Sequence, residues 1–256
     1  MHPDWLIPAW PAPAAVRAVC TTRAGGRSVA PYDSLNLGDH VGDDPLHVGA
    51  NRALLAQALG AHPVFLQQVH GHGVVTLDAR TPHGTAADAC LTRERGVACT
   101  IMVADCLPLL CTDARGSFVA AAHAGWRGLA GAAGGGSGAG VLEALLAVLP
   151  VPARELMVWL GPCIGPQAFE VGPEVRAAFE AHDPRAAACF RAAATPGKWL
   201  ADLPALARQR LAAQGVTQVY GNDGSTPWCT VANPSRFFSH RRDRVSGRLA
   251  ACIWRV

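Results

Sequence analysis

No run of eighteen apolar residues occurs in this 256-residue chain, although half of it is hydrophobic, so no membrane-spanning helix is expected. Nine cysteines occur without one CxxC pair. The odd number and the spacing argue against a disulfide framework and for free thiols in a reducing compartment. The opening MHPDWLIPAW lacks the basic-then-apolar order of an export signal, and a cytoplasmic protein is the expectation. Charge is also nearly absent in sum: 22 basic against 19 acidic residues leave +3. The one basic cluster, RFFSHRRDRVSGR at 236–248, contains a single acid, Asp243. It reads as a local anion site, not a nucleic-acid surface. No linker divides the chain into balanced halves, so residues 1–256 are expected to form one domain.

The apolar patterning gives strands mixed with helices. VRAVCTT (16–22) reads as a first strand, followed by a long Gly/Asp/Asn loop at 25–45 that holds Asn36, Asp39 and His40. Loops of that length in compact domains are usually functional or disordered, and the apolar residues between the polar ones favour order. A helix over 46–59 begins after Asp43-Asp44-Pro45, with Arg52 on it. VFLQQVHG (64–71) and VVTLDA (74–79) read as a strand pair, and VACTIMVAD (97–105) as a strand buried on both faces. PLLCTD (108–113) and SFVAAA (117–122) flank Asp113-Ala114-Arg115-Gly116, which has type I turn chemistry. With Asp113 paired to Gly116, Cys106 falls opposite His123. GLAGAAGGGSGAG (128–140) is a low-complexity Gly/Ala segment, followed by helices over 141–149, 173–182 and, capped by Asp202, to Ala213. LMVWL (156–160), VTQVYG (216–221) and RLAACIWRV (248–256) complete the strands. An α+β architecture, a mixed α/β sandwich with mixed sheets flanked by helices, follows.

His70, Cys106 and His123 each end or begin a strand. Imidazole and thiolate are donors that zinc prefers, and three protein ligands with an open position describe a catalytic site. The Cys106–His123 pair also fits a thiolate nucleophile activated by imidazole. In HAGWRG, the glycines allow close backbone approach, Trp126 can stack on a ring, and Arg127 can meet an anion. Asp105 reads as a strand-end cap or an orienting carboxylate.

The motifs PYDSLNLGDHVGDDP, NRALL, QQVHG, ADCLPLL, HAGWRGLA, GPCIGPQAFEVG, KWLADLPAL, WCT and FFSHRRD…GR together resemble the laccase-domain proteins. That family was first described as multicopper polyphenol oxidases and later as purine nucleoside phosphorylases and adenosine deaminases. The resemblance runs from about Val16 to the C-terminus. It implies metal ligands at His70, Cys106 and His123 and activity on adenosine, inosine, guanosine and methylthioadenosine, with phosphate as co-substrate. Two departures stand out: the Gly-rich segment at 131–140 resembles an insertion, and His240 stands in FFSHRRD where the family has tyrosine.

The expectation is therefore a zinc-dependent purine nucleoside enzyme, with copper as the other candidate metal. Zinc would acidify a bound water for attack at the purine C6. Arg241, Arg242 and Arg52 are the candidates for phosphate, because bidentate guanidinium matches its geometry. Asn36 is a further substrate-binding candidate, and Trp126 or Phe238 could stack on the base. A Cys–His hydrolase acting on a peptidoglycan precursor is the alternative. A copper phenol oxidase is disfavoured, because ten histidines, one HxH and three methionines are a thin supply for a multinuclear copper centre.

Overall fold

The computed structural model describes residues 1–131 and 138–256. Among the described residues there are thirteen strands: β1 (Val16–Cys20), β2 (His62–Phe65), β3 (Val74–Thr76), β4 (Ala89–Thr92), β5 (Val97–Val103), β6 (Leu107–Asp113), β7 (Val119–Ala124), β8 (Leu156–Leu160), β9 (Glu170–Val171), β10 (Phe190–Ala192), β11 (Trp199–Ala201), β12 (Gln218–Gly221) and β13 (Leu249–Arg255). The helices are α1 (Pro45–Leu59), α2 (Trp126–Ala130), α3 (Val141–Val148), α4 (Pro173–Glu180), α5 (Leu203–Ala213) and α6 (His240–Asp243), with short 3-10 turns between some elements.

A four-stranded sheet in the order β1-β13-β5-β2 faces a six-stranded sheet in the order β12-β8-β6-β7-β4-β3. Period-two alternation decides what lies between them. Cys99, Ile101 and Val103 of β5 and Ala251 and Ile253 of β13 meet Leu110 of β6, Val119 and Ala121 of β7 and Trp159 of β8 in one core. The opposite faces of the same strands are buried too. Ala98, Met102 and Trp254 pack with Leu55 and Leu59 of α1, while Leu109, Ala120 and Ala122 pack under α3, α4 and α5. The result is an α+β sandwich of four layers, with a small sheet β10-β11-β9 beside the helical face.

The helix ends follow local chemistry. Asp44 accepts a hydrogen bond from Leu46 N at the start of α1, and Gly60 closes it at φ 61°. Asp202 caps α5 through Ala205 N, as its sequence position predicts.

Two sequence expectations are corrected. The hairpin register differs: Thr112 pairs with Val119 and Pro108, not Cys106, with His123. The turn at Asp113–Gly116 forms, with Gly116 N donating to Asp113 O. Ser117 then folds back, its amide and hydroxyl both donating to the Asp113 carboxylate at 2.7 Å. That lengthens the connection and moves the ladder by two residues, which keeps Cys106 and His123 on one face. The second correction concerns β2 and β3, which belong to different sheets. Between them His70 adopts φ 60°, a left-handed bend that carries the chain from one sheet to the other.

Most of the glycine segment at 131–140 lies outside the described residues. On its near side Gly131 caps α2 at φ 74°. On its far side Gly138 O accepts from Arg210, whose Nε also donates to Glu143.

Candidate metal centre and cleft

The bend at His70, the approach to β6 and the end of β7 bring His70, Cys106 and His123 together. One ligand atom of each lies within 4.8 Å of the other two. Cys106 Sγ is 3.8 Å from His70 Nε2, and the two imidazole rings meet edge-on at 4.7 Å between centroids. Their exposures differ: His123 is buried, Cys106 half-buried and His70 exposed. Gly125 explains its own place in HAGWRG. A Cβ there would lie 2.8 Å from His70 Cδ2 and 3.1 Å from Cys106 Sγ, so any side chain would push into the cluster.

A carboxylate that the sequence did not single out supports the group. Asp88, directly before β4, is fully buried, and its Oδ1 lies 2.8 Å from His123 Nδ1. That contact assigns the Nδ1 proton toward Asp88 and leaves Nε2 as the ligand atom. Burial pushes the Cys106 thiol up, yet His123 and His70 beside it bring it down to about 6. Burial likewise pushes His123 down, but the Cys106 sulfur and then Asp88 raise it to about 9. Without a metal the geometry thus favours a thiolate–imidazolium pair. The donor set fits zinc: two nitrogens, one thiolate, a seated second partner and access from one side.

That side is a cleft of about 510 Å³. Met102, Ala104, Trp126, Ile164, Phe169 and Leu203 give it apolar walls, and Arg241, Arg244 and Arg248 give it a cationic rim, beside which His40 and His240 also lie. Asp105 also lines it, at φ 103°, with its carboxylate accepting from Thr230 Oγ1 and Arg241 N at 2.6 Å each. It ties the WCT and FFSHRRD segments to the cluster rather than facing a histidine.

The remaining sequence candidates divide. Trp126 and Arg241 line the cleft. Arg241 Nη1 donates to Glu170 O at 3.0 Å, and the guanidinium lies 5.5 Å from the Phe169 ring centre. Asn36, Arg52, Arg242 and Phe238 are not among the lining residues. Asn36 is buried and uses its amide on Gly38, Asp43 and Arg248 N. Arg52 pairs with Asp39 at 3.1 Å and bonds Leu37 O. Asp39 in turn sits 3.5 Å from His40 Nδ1. Arg242 donates to the carbonyls of Thr230, Val231 and Phe237 and pairs with Asp243. Phe238 is fully buried, with Arg23 over its ring at 4.8 Å.

Arg244 and Arg248, by contrast, lie on the rim. Among the described residues no carboxylate pairs with Arg241, Arg244 or Arg248 within 4.0 Å. Only the basic composition of 236–248 pointed toward them.

All of these cleft residues fall within one matched region. Residues 17–256 match the model of the multi-copper polyphenol oxidoreductase laccase family. The chain is 53% identical over 250 residues to a purine nucleoside phosphorylase of Pseudomonas aeruginosa, covering 98% of both chains. It is 47% identical to the purine nucleoside phosphorylase YfiH of Escherichia coli, again over 98% of both. Among solved structures, a Neisseria meningitidis protein superposes with a TM-score of 0.91 at 46% identity, covering 98% of this chain and 99% of that one. YlmD from Geobacillus stearothermophilus gives 0.81 at 30% identity, covering 94% and 92%. With the family model spanning nearly the whole chain, the protein belongs to the laccase-like multi-copper polyphenol oxidoreductase family.

Proposed function

We propose that the protein is a zinc-dependent purine nucleoside phosphorylase that also deaminates adenosine. One observation carries the reading: a His–Cys–His ligand set and three arginines without carboxylate partners line the same cleft. The names of the Pseudomonas and Escherichia relatives support it.

His70, Cys106 and His123 would hold the zinc, with Asp88 fixing His123. When bound, zinc supplies Lewis acidity, the property that lets water act as a nucleophile near neutral pH. Trp126 and Phe169 offer ring faces for the purine of adenosine, inosine, guanosine or methylthioadenosine. Arg241, joined by Arg244 and Arg248, holds phosphate by charge-assisted hydrogen bonds. A phosphate oxygen then bonds to the anomeric carbon as the glycosidic bond breaks toward the purine nitrogen, giving base and ribose 1-phosphate. In deamination, water takes the place of phosphate, adds at the purine C6, and ammonia leaves. Asn36, Arg52 and Arg242 contribute indirectly: Asn36 by holding Arg248 N, Arg52 by holding the Asp39–His40 corner, and Arg242 by bracing the loop under Arg241.

The depressed Cys106 thiol beside His123 favours a second reading, a Cys–His hydrolase with Cys106 as nucleophile. A copper oxidase receives less support. Among the described residues this is the one group of three metal-capable side chains, and a multinuclear copper centre needs more donors. The nine free cysteines support a cytoplasmic setting, and no described helix is long and apolar enough to cross a membrane.

The test is metal analysis of the purified protein followed by assays on inosine and adenosine with and without phosphate. The reading expects about one zinc per chain, and base release from inosine only when phosphate is present. Zinc-loaded protein that releases no base with phosphate and no ammonia from adenosine would overturn it.

A further inference from the structure

Asp88 contacts both histidine-bearing segments. Its Oδ1 lies 2.8 Å from His123 Nδ1 and accepts from His70 N at 2.9 Å. Its Oδ2 accepts from Gly71 N at 2.7 Å and Val69 N at 3.2 Å. Its main-chain oxygen accepts from His123 N at 2.7 Å. The residue is fully buried, and all of these donors are N–H groups.

Three successive amides converging on one anion form a nest, a backbone shape that needs a residue near the left-handed region. His70, at φ 60°, is that residue. A non-glycine side chain in this region is uncommon and persists where its surroundings hold it. The carboxylate is what holds it here, by satisfying the amides on both sides of the bend. The same carboxylate fixes the ring of His123, so one buried side chain spans two ligands that are 53 positions apart in the sequence.

We infer that Asp88 is the positioning residue of the metal centre: it sets both histidines in ligand geometry before an ion arrives, His123 through its ring and His70 through the backbone. Cys106 has no such tether to Asp88 and is placed by the start of β6. The inference rests on the metal-site reading for its function, but its structural half can be tested without metal.

Asp88→Asn keeps the side chain's volume and gives up one acceptor oxygen and the charge. The one remaining oxygen can then accept either from His123 Nδ1 and His70 N or from Val69 N and Gly71 N, while the amide nitrogen meets donors on the other side. The expected result is zinc affinity weakened about 10–100-fold, the range for partners that orient metal-binding histidines. Measured in the folded variant by chelator competition, a Kd within twofold of the parent overturns the inference. A purely structural Asp88 would lower the melting temperature and leave that Kd in place.

Should Asp88→Asn fail to fold, the metal-free parent decides. Protected amide protons at His70 and Gly71 and a slowly exchanging Nδ1 proton on His123 support the preset centre. Exchange at the rate of an exposed loop contradicts it. A parent that binds no zinc would remove the metal reading, while the exchange measurement would still decide whether Asp88 holds the two histidines.

Discussion

The two sides of the cleft are built by opposite means. On the metal side, the ligands come from strand β7, the step into β6 and a bend anchored on a buried carboxylate, and little is free to move. On the cationic side, Arg241, Arg244 and Arg248 come from the short helix α6, its C-terminal turn and the approach to β13. Their backbones are pinned, Arg241 N by Asp105 and Arg248 N by Asn36. All three line the cleft, Arg241 and Arg248 donating to main-chain carbonyls and none pairing with a carboxylate among the described residues. Rigid strand ends suit groups whose geometry fixes the chemistry, whereas long cations on a braced loop suit an anion that must enter and leave. Neighbouring residues show the contrast at its sharpest. Arg241 opens onto the cleft, and Arg242 is consumed by three carbonyls and Asp243.

The largest effect should come from breaking the rigid side. Cys106→Ser or His123→Ala should remove zinc and nucleoside turnover together, with turnover falling by more than about 100-fold, beyond the effect of losing a supporting partner. Retention of full zinc occupancy by Cys106→Ser, with activity lost, would instead make Cys106 a covalent nucleophile.

Alkylation sharpens the same side. In metal-free protein the rate of Cys106 modification should rise with pH around about 6, the value to which its neighbours bring the thiol from an ordinary 9.0. With zinc bound the thiolate is held and should react slowly. The signs also fix the pH dependence of the metal-free form. The depressed thiol contributes stability that is complete above 9.0 and is lost as pH falls through about 6. The raised imidazole contributes stability that is complete below 6.5 and is lost as pH rises through about 9. Between 6.5 and about 9 the two slopes oppose each other, with folded and unfolded chains each binding one proton on the pair, so the pair should leave stability nearly level there. A steep slope across that interval that disappears in metal-free Cys106→Ser would contradict the pairing.

A smaller effect is expected at Arg242. Removing its carbonyl contacts with Arg242→Ala should cost about 1–3 kcal/mol, equivalent to a melting temperature lower by roughly 2–10 °C in a protein of this size. Turnover per folded molecule should stay within about threefold, since charged-group hydrogen bonds to substrate would be worth more than that. A large rise in phosphate KM with unchanged stability would place Arg242 at the anion.

Much of the rigid side was legible in the sequence. LMVWL matches β8 residue for residue, Asp202 caps α5 as expected, and period-two alternation put Cys106 and His123 on one face despite a register wrong by two. Register failed because Ser117 turns back onto Asp113, a side-chain choice that leaves no trace in apolar patterning. Asp88 was invisible for a different reason. In AADAC it is one acid among small residues, and its partners are 17 to 35 positions away. The strands β9, β10 and β11, two or three residues each, are too short to show alternation. On the cationic side, composition marked the segment but not which guanidinium faces the cleft, because that depends on carbonyls supplied by Ala168, Glu170, Thr230 and Phe237.

Adenosine tests the division between the two sides within a single sample, because the proposal makes it a substrate for both reactions. With zinc and phosphate present, adenine reports phosphorolysis and ammonia reports deamination. In Arg241→Ala the ratio of adenine to ammonia should fall at least about tenfold relative to the parent, the loss expected for a charge-assisted contact to phosphate, with zinc content unchanged. An unchanged ratio, with both products lost equally, would contradict a phosphate role for the cationic side.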